Sequence, residues 1–218
     1  MSDEIPAKSV QFRDEILEWG SENIRSFLWR EPDRSLYEVF IAEFFLTQTP
    51  AGNVADVYPT FLDRFPSLVA LNRANRREIR ETIEPLGFHR MRTDALTSIA
   101  AEHDSLPQGR EELIALPRVG PYVADATLCF ALERALPILD RNVVQVYERV
   151  FGSAFPEKES EQRAFAAEVL PENGQEARRY NLALLDFGAM ICEKLEPRCE
   201  RCFATDYCTY YESLDVTD

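Results

Sequence analysis

Residues 116–149 read LPRVGPYVADATLCFALERALPILDRNVVQVYER, and the punctuation within this stretch decides the fold. A short apolar segment ends in Leu116-Pro117-Arg118-Val119-Gly120, and Pro121 opens a new helix, a position where its missing N–H and fixed φ do no harm. Gly120 with Pro121 is expected to turn the chain tightly, giving two helices joined by a hairpin. Amides of such a hairpin, beside a fresh helix N-terminus, form an anion site suited to a phosphate. One loop later Asp140 stands alone among apolar residues, two places before another helical run. An aspartate there can be a plain N-cap or a carboxylate held for chemistry, and spacing does not separate the two.

Outward from this stretch nearly every periodic segment is helical. Ile16, Leu17 and Ile24 begin an amphipathic stretch, and Ser35 caps a dense apolar run from Leu36 to Leu46. Ala51 to Phe65 follows, tolerating Pro59 with a kink. Asn75 caps a short helix through Ile83, Gly87 ends that element, and Met91 to His103 makes the next. Arg110 to Ala115 leads into the hairpin, and beyond Asp140 come Val143 to Phe151, Glu161 to Leu170 and Ala177 to Ile191. No strand, internal repeat or low-complexity tract is evident, so the expectation is an all-α protein.

The 218 residues, 45% of them hydrophobic, suffice for one domain or two small ones with a proper core. No apolar run approaches the roughly 20 residues that span a bilayer, and Met1 to Lys8 shows no hydrophobic signal region, so a cytoplasmic location is expected. The net charge of −14 argues against long-range attraction to any polyanion. Lysine is nearly absent (Lys8, Lys158, Lys194) while arginine is plentiful and the acids are spread out. Such a surface suits a salt-adapted cell, where repulsion between charges is screened within a few Å.

Two further features carry chemistry. Cys192, Cys199, Cys202 and Cys208 form a C-x6-C-x2-C-x5-C pattern, which points to a metal; zinc and iron–sulfur would both fit four thiolates. Cys129, in an apolar helix, reads as a small buried hydrophobe. Glu43 lies in Phe40-Ile41-Ala42-Glu43-Phe44-Phe45-Leu46-Thr47-Gln48-Thr49, and a carboxylate among so many apolar neighbours needs either an ion pair or a function.

Together the hairpin, the lone aspartate and the cysteine loop after LLDFGAMIC resemble the endonuclease III and MutY helix-hairpin-helix DNA glycosylase superfamily, on the side of its archaeal G·T mismatch thymine-DNA glycosylases. The resemblance runs from about Trp29 to Glu212 and implies two helical lobes with a cleft between them. One is a six-helix domain holding the hairpin, residues 25–135. The other joins residues 1–24 to 136–218 and carries a [4Fe–4S] cluster on Cys192, Cys199, Cys202 and Cys208. Arg198 and Arg201, within that loop, would face a backbone phosphate.

The resemblance also implies site residues for cleaving an N-glycosidic bond, which builds positive charge on the sugar and negative charge on the leaving base. Asp140, kept ionised by its place at a helix N-terminus, would stabilise the sugar, with Asn142 orienting it. Glu43 would act as acid or water-positioner. Tyr122 completes the catalytic set at the place where bifunctional relatives carry a Schiff-base lysine, and no lysine lies between Lys8 and Lys158. A monofunctional enzyme that leaves an intact abasic site is the expectation. Arg118, Val119 and Gly120 would grip the strand, although Arg118 replaces the usual first hairpin glycine. Gln48 would fill the gap left by the flipped base, and Trp29, Leu182 and Asp186 belong to the expected base pocket and DNA contacts.

Phe88 would wedge into the stack, or else anchor the core. Arg73, Arg76, Arg77 and Arg80 would offer a backbone-contacting face or simply a solvated one. Leu182 stands where MutY enzymes carry Gln or Glu, which disfavours adenine, and the chain stops without the domain by which MutY reads 8-oxoguanine. Thymine or uracil opposite guanine is therefore the expected target. A MutY-like adenine glycosylase and a non-catalytic DNA-binding module are the other readings. Expected partners are double-stranded DNA bearing a mispaired base and, downstream, an abasic-site endonuclease, with the protein acting as a monomer near the nucleoid.

Overall fold

The computed structural model describes residues 4–214, with side chains from Ala7; residues 1–3 and 215–218, including the start of the Met1–Lys8 stretch, lie outside the described residues. Among the described residues there are twelve α-helices and no strand, as the periodicity required. In chain order the helices are α1 (Glu4–Asn23), α2 (Leu36–Leu46), α3 (Ala51–Arg64), α4 (Leu68–Arg73), α5 (Arg76–Thr82) and α6 (His89–Glu102). They continue as α7 (Arg110–Ile114), α8 (Pro121–Leu132), α9 (Arg141–Phe151), α10 (Glu159–Val169), α11 (Gly174–Met190) and α12 (Thr209–Leu214). The chain divides into two compact units, Ser26–Leu132 and the combination of Met1–Arg25 with Glu133–Asp218. No helix among the described residues is long and apolar enough to cross a membrane.

In the unit Ser26–Leu132, α2 is the central element. Ser35 and Glu38 form a reciprocal capping box: the Glu38 amide donates to the Ser35 hydroxyl at 3.2 Å and the Ser35 amide to the Glu38 carboxylate at 2.8 Å. From Val39 to Phe45 every side chain is buried, because α2 packs on α3 and α8 and has almost no wet face. Phe45 meets Phe61 edge to face at 5.0 Å, and Phe61 meets Phe65 at 5.1 Å. The helix α3 runs on through Pro59 to Arg64 instead of ending there. The short helix α4 was not evident in the sequence; the Ser67 hydroxyl caps it by accepting from the Ala70 amide at 3.2 Å.

The second unit is built on α1, α9, α10 and α11 around Phe12, Ile16, Tyr147, Phe151, Phe165 and Phe187. Each such aromatic or aliphatic side chain contributes on the order of 1.5–3 kcal/mol by leaving water. Gly20 lets α1 press onto α11: a Cβ there would lie 2.5 Å from that of Ala183. Gly188 does the same for α9, since its Cβ would lie 3.0 Å from that of Asn142. The hydroxyls of Tyr147 and Tyr180 satisfy one another at 3.0 Å inside this core.

Candidate active site

The hairpin lies between α7 and α8 as expected, but its conformation differs from the reading of Gly120 as the turn-maker. The left-handed residue is Arg118 (φ 64), while Gly120 has ordinary backbone. A Cβ on Gly120 would meet nothing within 4 Å, so no close contact requires the glycine and it does not itself bend the chain. The Arg118 side chain is exposed and its guanidinium donates to the Met91 sulfur at 3.3 Å. Val119 is buried and fixes the turn through its amide, which donates to the Leu116 carbonyl at 3.1 Å. A fork from Arg110 ties α7 to α8, with Nε donating to Asp125 Oδ1 at 2.7 Å and Nη2 to Oδ2 at 3.2 Å. Asp125 is a lone acid inside the apolar run of α8, a signal of the same kind as Glu43, which the sequence reading passed over.

Glu43 is 2% exposed on α2. The Tyr122 hydroxyl, from the first turn of α8, donates to its Oε2 at 3.1 Å. The structure thus brings these two residues together and gives the buried carboxylate a hydrogen-bond donor. The turns that lead into α3 and into α6 carry two further expected residues. Gln48 and Phe88 are both exposed and both left-handed, with φ 57 and 48. Phe88, 53% exposed, stands at the start of α6 and outside the core, which removes the core-anchor reading. Between positions 73 and 90 there are five arginines and three acids, so this stretch is basic within an acidic chain. Part of that charge is spoken for, as Arg76 pairs with Asp94 and Arg77 with Glu81 at 3.6 Å.

In the other unit Asp140 is the N-cap of α9, its Oδ1 accepting from the Val143 amide at 2.7 Å. The expectation that this place favours the ionised form is corrected. Burial raises its pKa above the ordinary aspartate value, and this outweighs the Val143 and Asn142 amides and the nearby Arg141 charge, which pull it down. The segment leading to Asp140 is moulded by α11. Asn181, 2% exposed, donates to the Leu136 carbonyl at 3.0 Å and accepts from the Ile138 amide at 3.4 Å. Gly174 leaves room for the Glu133 carbonyl, which would sit 1.6 Å from a Cβ. Neither residue was singled out from the sequence.

Asn142 is exposed next to Asp140, and Leu182 is 4% exposed on α11. Asp186 is fully buried; it accepts from the Arg25 amide at 2.8 Å and from the Arg25 guanidinium at 2.8 and 2.6 Å. Trp29 is 3% exposed, stacked on Phe27 at 4.6 Å and set edge-on to Tyr58 at 5.5 Å. Within their own units Asp186 thus anchors Arg25, and Trp29 packs between Phe27 and Tyr58.

The four clustered cysteines line one pocket together with Arg149, Phe187, Ile191 and Tyr210. Its enclosed space is small, about 20 Å³. All four are free thiols, and among the described residues no three His, Cys, Asp or Glu side chains converge on a point where a single ion could sit. Arg149 was missed in the sequence and organises this loop. Its guanidinium donates to the Cys192 sulfur at 3.4 Å and to the carbonyls of Cys192, Glu193 and Lys194 at 3.2, 2.8 and 2.9 Å. Burial pushes the Cys192 and Cys199 thiols up and the Cys202 thiol to about 11, so loading would have to displace protons. Arg198, expected to face phosphate, pairs with Glu193 at 3.1 Å. Cys129 is fully buried in α8, as read.

Comparison with known proteins accords with this geometry. Residues 41–172 match the model of the HhH-GPD superfamily base excision DNA repair protein. A thymine/uracil-DNA glycosylase of Pyrobaculum aerophilum is 33% identical, over 94% of this chain and 94% of its own length. An adenine DNA glycosylase of Mycobacterium tuberculosis is 34% identical over 89% of this chain, which spans 66% of that longer protein. The solved structure of a thermostable thymine-DNA glycosylase superposes with a TM-score of 0.89 at 29% identity, covering 95% of this chain and 98% of that one. The family match over more than half of its length and the identity to the Pyrobaculum aerophilum relative place the chain in the HhH-GPD superfamily of base excision DNA repair proteins.

Proposed function

We propose that the protein is a monofunctional DNA glycosylase that hydrolyses the N-glycosidic bond of thymine or uracil mispaired with guanine. The observation that carries this reading is the pairing of Tyr122 with the buried Glu43, at the place where a lysine amine would be needed for a Schiff base. A phenol held by a carboxylate cannot make that imine, and water is left as the acceptor of the sugar. In this reading Asp140, as the carboxylate, faces the positive charge that grows on the sugar, and exposed Asn142 orients it. Glu43, steadied by Tyr122, positions the water or protonates the leaving base. Arg118, Val119 and Gly120 hold a strand phosphate. Phe88 enters the stack and Gln48 fills the vacated place once the base is extruded.

The relatives support the substrate. The Pyrobaculum aerophilum protein, alike over nearly its whole length, is a thymine/uracil-DNA glycosylase. Leucine at 182 offers no hydrogen bonds to an adenine edge, which favours a pyrimidine over the adenine taken by the Mycobacterium tuberculosis relative. Cys192, Cys199, Cys202 and Cys208 would hold a [4Fe–4S] cluster, whose chemistry here is to tie the loop, with Arg149 fixing the surrounding carbonyls. On this reading residues 25–135 are the hairpin domain, and 1–24 with 136–218 the cluster domain. The protein acts on duplex DNA as a monomer and hands its abasic product to an endonuclease. Duplexes bearing G·T, G·U and A·8-oxoguanine pairs, treated with the protein and then with alkali, test this. Breaks at thymine and uracil are expected, and breaks at adenine alone would overturn the choice of base.

A further inference from the structure

Arg92 lies in α6 and is 5% exposed, a buried cation to which the sequence assigns no task. Its hydrogen bonds run to two separate turns. Nη2 donates to the Phe45 and Thr47 carbonyls at 3.1 and 2.7 Å and to the Thr49 hydroxyl at 2.8 Å. Nη1 donates to the Leu86 and Gly87 carbonyls at 2.9 and 3.1 Å. Thr49 closes the ring by donating its own hydroxyl to the Leu86 carbonyl at 3.1 Å. One guanidinium thus binds residues 45–49 to residues 86–87 through acceptors, mainly carbonyls, whose positions are set by the backbone. A fork of this kind imposes a planar geometry that an ammonium cannot.

Each of the two turns carries one exposed non-glycine residue in left-handed backbone, Gln48 at φ 57 and Phe88 at φ 48. Such a conformation costs about 1–2 kcal/mol per residue and persists only where the surroundings over-determine it. Arg92 supplies that determination for both at once: it grips the Phe45 and Thr47 carbonyls before Gln48 and the Thr49 hydroxyl after it in the first turn, and the two carbonyls before Phe88 in the second. A large aromatic held outside the core at 53% exposure, in a turn that Arg92 ties to the turn carrying Gln48, is a shape prepared for insertion.

We propose that Arg92 is a positioning residue that locks Gln48 and Phe88 into one two-pronged wedge, so that prising a nucleotide from the stack and filling its place happen as one event. The proposal rests on the reading of this protein as an enzyme that extrudes a base. Arg92 itself touches neither base nor sugar. Its effect falls on extrusion, and leaves duplex binding and bond cleavage in an already extruded nucleotide unchanged.

The test is a mutant cycle in the full chain, with Arg92→Lys made alone and in a Gln48→Ala/Phe88→Ala background. Extrusion is followed by the fluorescence of 2-aminopurine beside a G·U pair, excision by single-turnover release, and binding by titration of undamaged duplex. In the native background Arg92→Lys is expected to slow extrusion and excision together by about tenfold, as for loss of a charged hydrogen bond, with duplex binding within about twofold. In the background lacking both prongs the same change is expected to add less than about twofold, because the prongs it positions are gone. Thr49→Val, which removes one strut from the same ring at nearly unchanged volume, should show the same pattern at smaller size should Arg92→Lys fold poorly. Equal tenfold losses in both backgrounds would make Arg92 an ordinary structural residue and overturn the proposal. A native chain that extrudes and releases no base from any mispair would remove the reading of the function, and this inference with it. A native chain that releases uracil while the cycle is additive removes the inference alone.

Discussion

Replacing Asp140 by asparagine separates the two things this side chain does. As the N-cap of α9 it accepts from the Val143 amide at 2.7 Å, and the amide oxygen of asparagine can accept the same bond. Asp140→Ala loses the cap, about 1 kcal/mol, or about 2–4 °C of melting temperature in a chain of this size. Asp140→Asn keeps the cap and also removes a charge that burial disfavours. The sign follows from the raised pKa. Between the unfolded value and the higher folded one, the folded state holds a proton that the unfolded state has lost, so stability falls as pH rises through that window. At neutral pH Asp140→Asn is therefore expected to melt no lower than the native protein, and the native protein's loss of stability across that acidic window should shrink in the variant. Excision should fall by about 10²–10³-fold, since preorganised charge facing the transition state is worth that much. Native excision should rise with pH through the folded pKa of Asp140, and the residual activity of Asp140→Asn should not. Single-turnover release from a G·U duplex, with thermal melting on the same samples, reads both. An Asp140→Asn protein within about threefold of native excision would refute the electrostatic role. One that loses excision and several degrees together would show that the cap alone was at stake.

Four other changes have clear outcomes. Tyr122→Phe removes the donor to Glu43 Oε2 and should lower single-turnover excision by about tenfold with little change in duplex affinity; unchanged rates would leave Glu43 without its supposed support. Gly174→Ala drives a Cβ to within 1.6 Å of the Glu133 carbonyl and should destabilise by about 1–3 kcal/mol, lowering the melting temperature and excision together. Cys202→Ser should abolish bound iron and visible absorbance as measured by metal analysis of protein purified without oxygen, and full iron content in that variant would remove Cys202 from the site. With a net charge of −14 and three lysines, the protein should gain melting temperature on going from dilute buffer to molar salt; a loss of stability with salt would contradict the reading of a salt-adapted surface.

The helices were legible because their signals are local. Ser35, Asn75 and Asp140 announce N-termini and proved to be caps, and the dense apolar run of α2 announced a buried helix. Two residues showed how far an isolated charge in such a run can be read. Glu43 was noticed and acquired a partner in Tyr122, whereas Asp125 carried the same signal unnoticed and proved to hold the hairpin through Arg110. What stayed hidden depends on contacts distant in sequence. Arg92 looks like any helix-surface arginine until the carbonyls of residues 45–47 and 86–87 are seen around it. Asn181 and Gly174 shape the lead-in to Asp140 from more than 30 residues away, and no periodicity marks them. Backbone conformation was the other blind spot, since Gly120 was the natural choice for the turn and Arg118 makes it. The same competition decided Asp140, where helix-end amides favour the charge and burial, the larger effect, opposes it.

The most direct measurement is mass spectrometry of the products from a duplex with one G·U pair, without alkali or heat. The account predicts free uracil and an unbroken strand carrying a hydrolysed abasic sugar. A strand broken on the 3′ side of the abasic sugar would contradict the role given to Tyr122, and recovery of the duplex with its uracil intact would contradict the account as a whole.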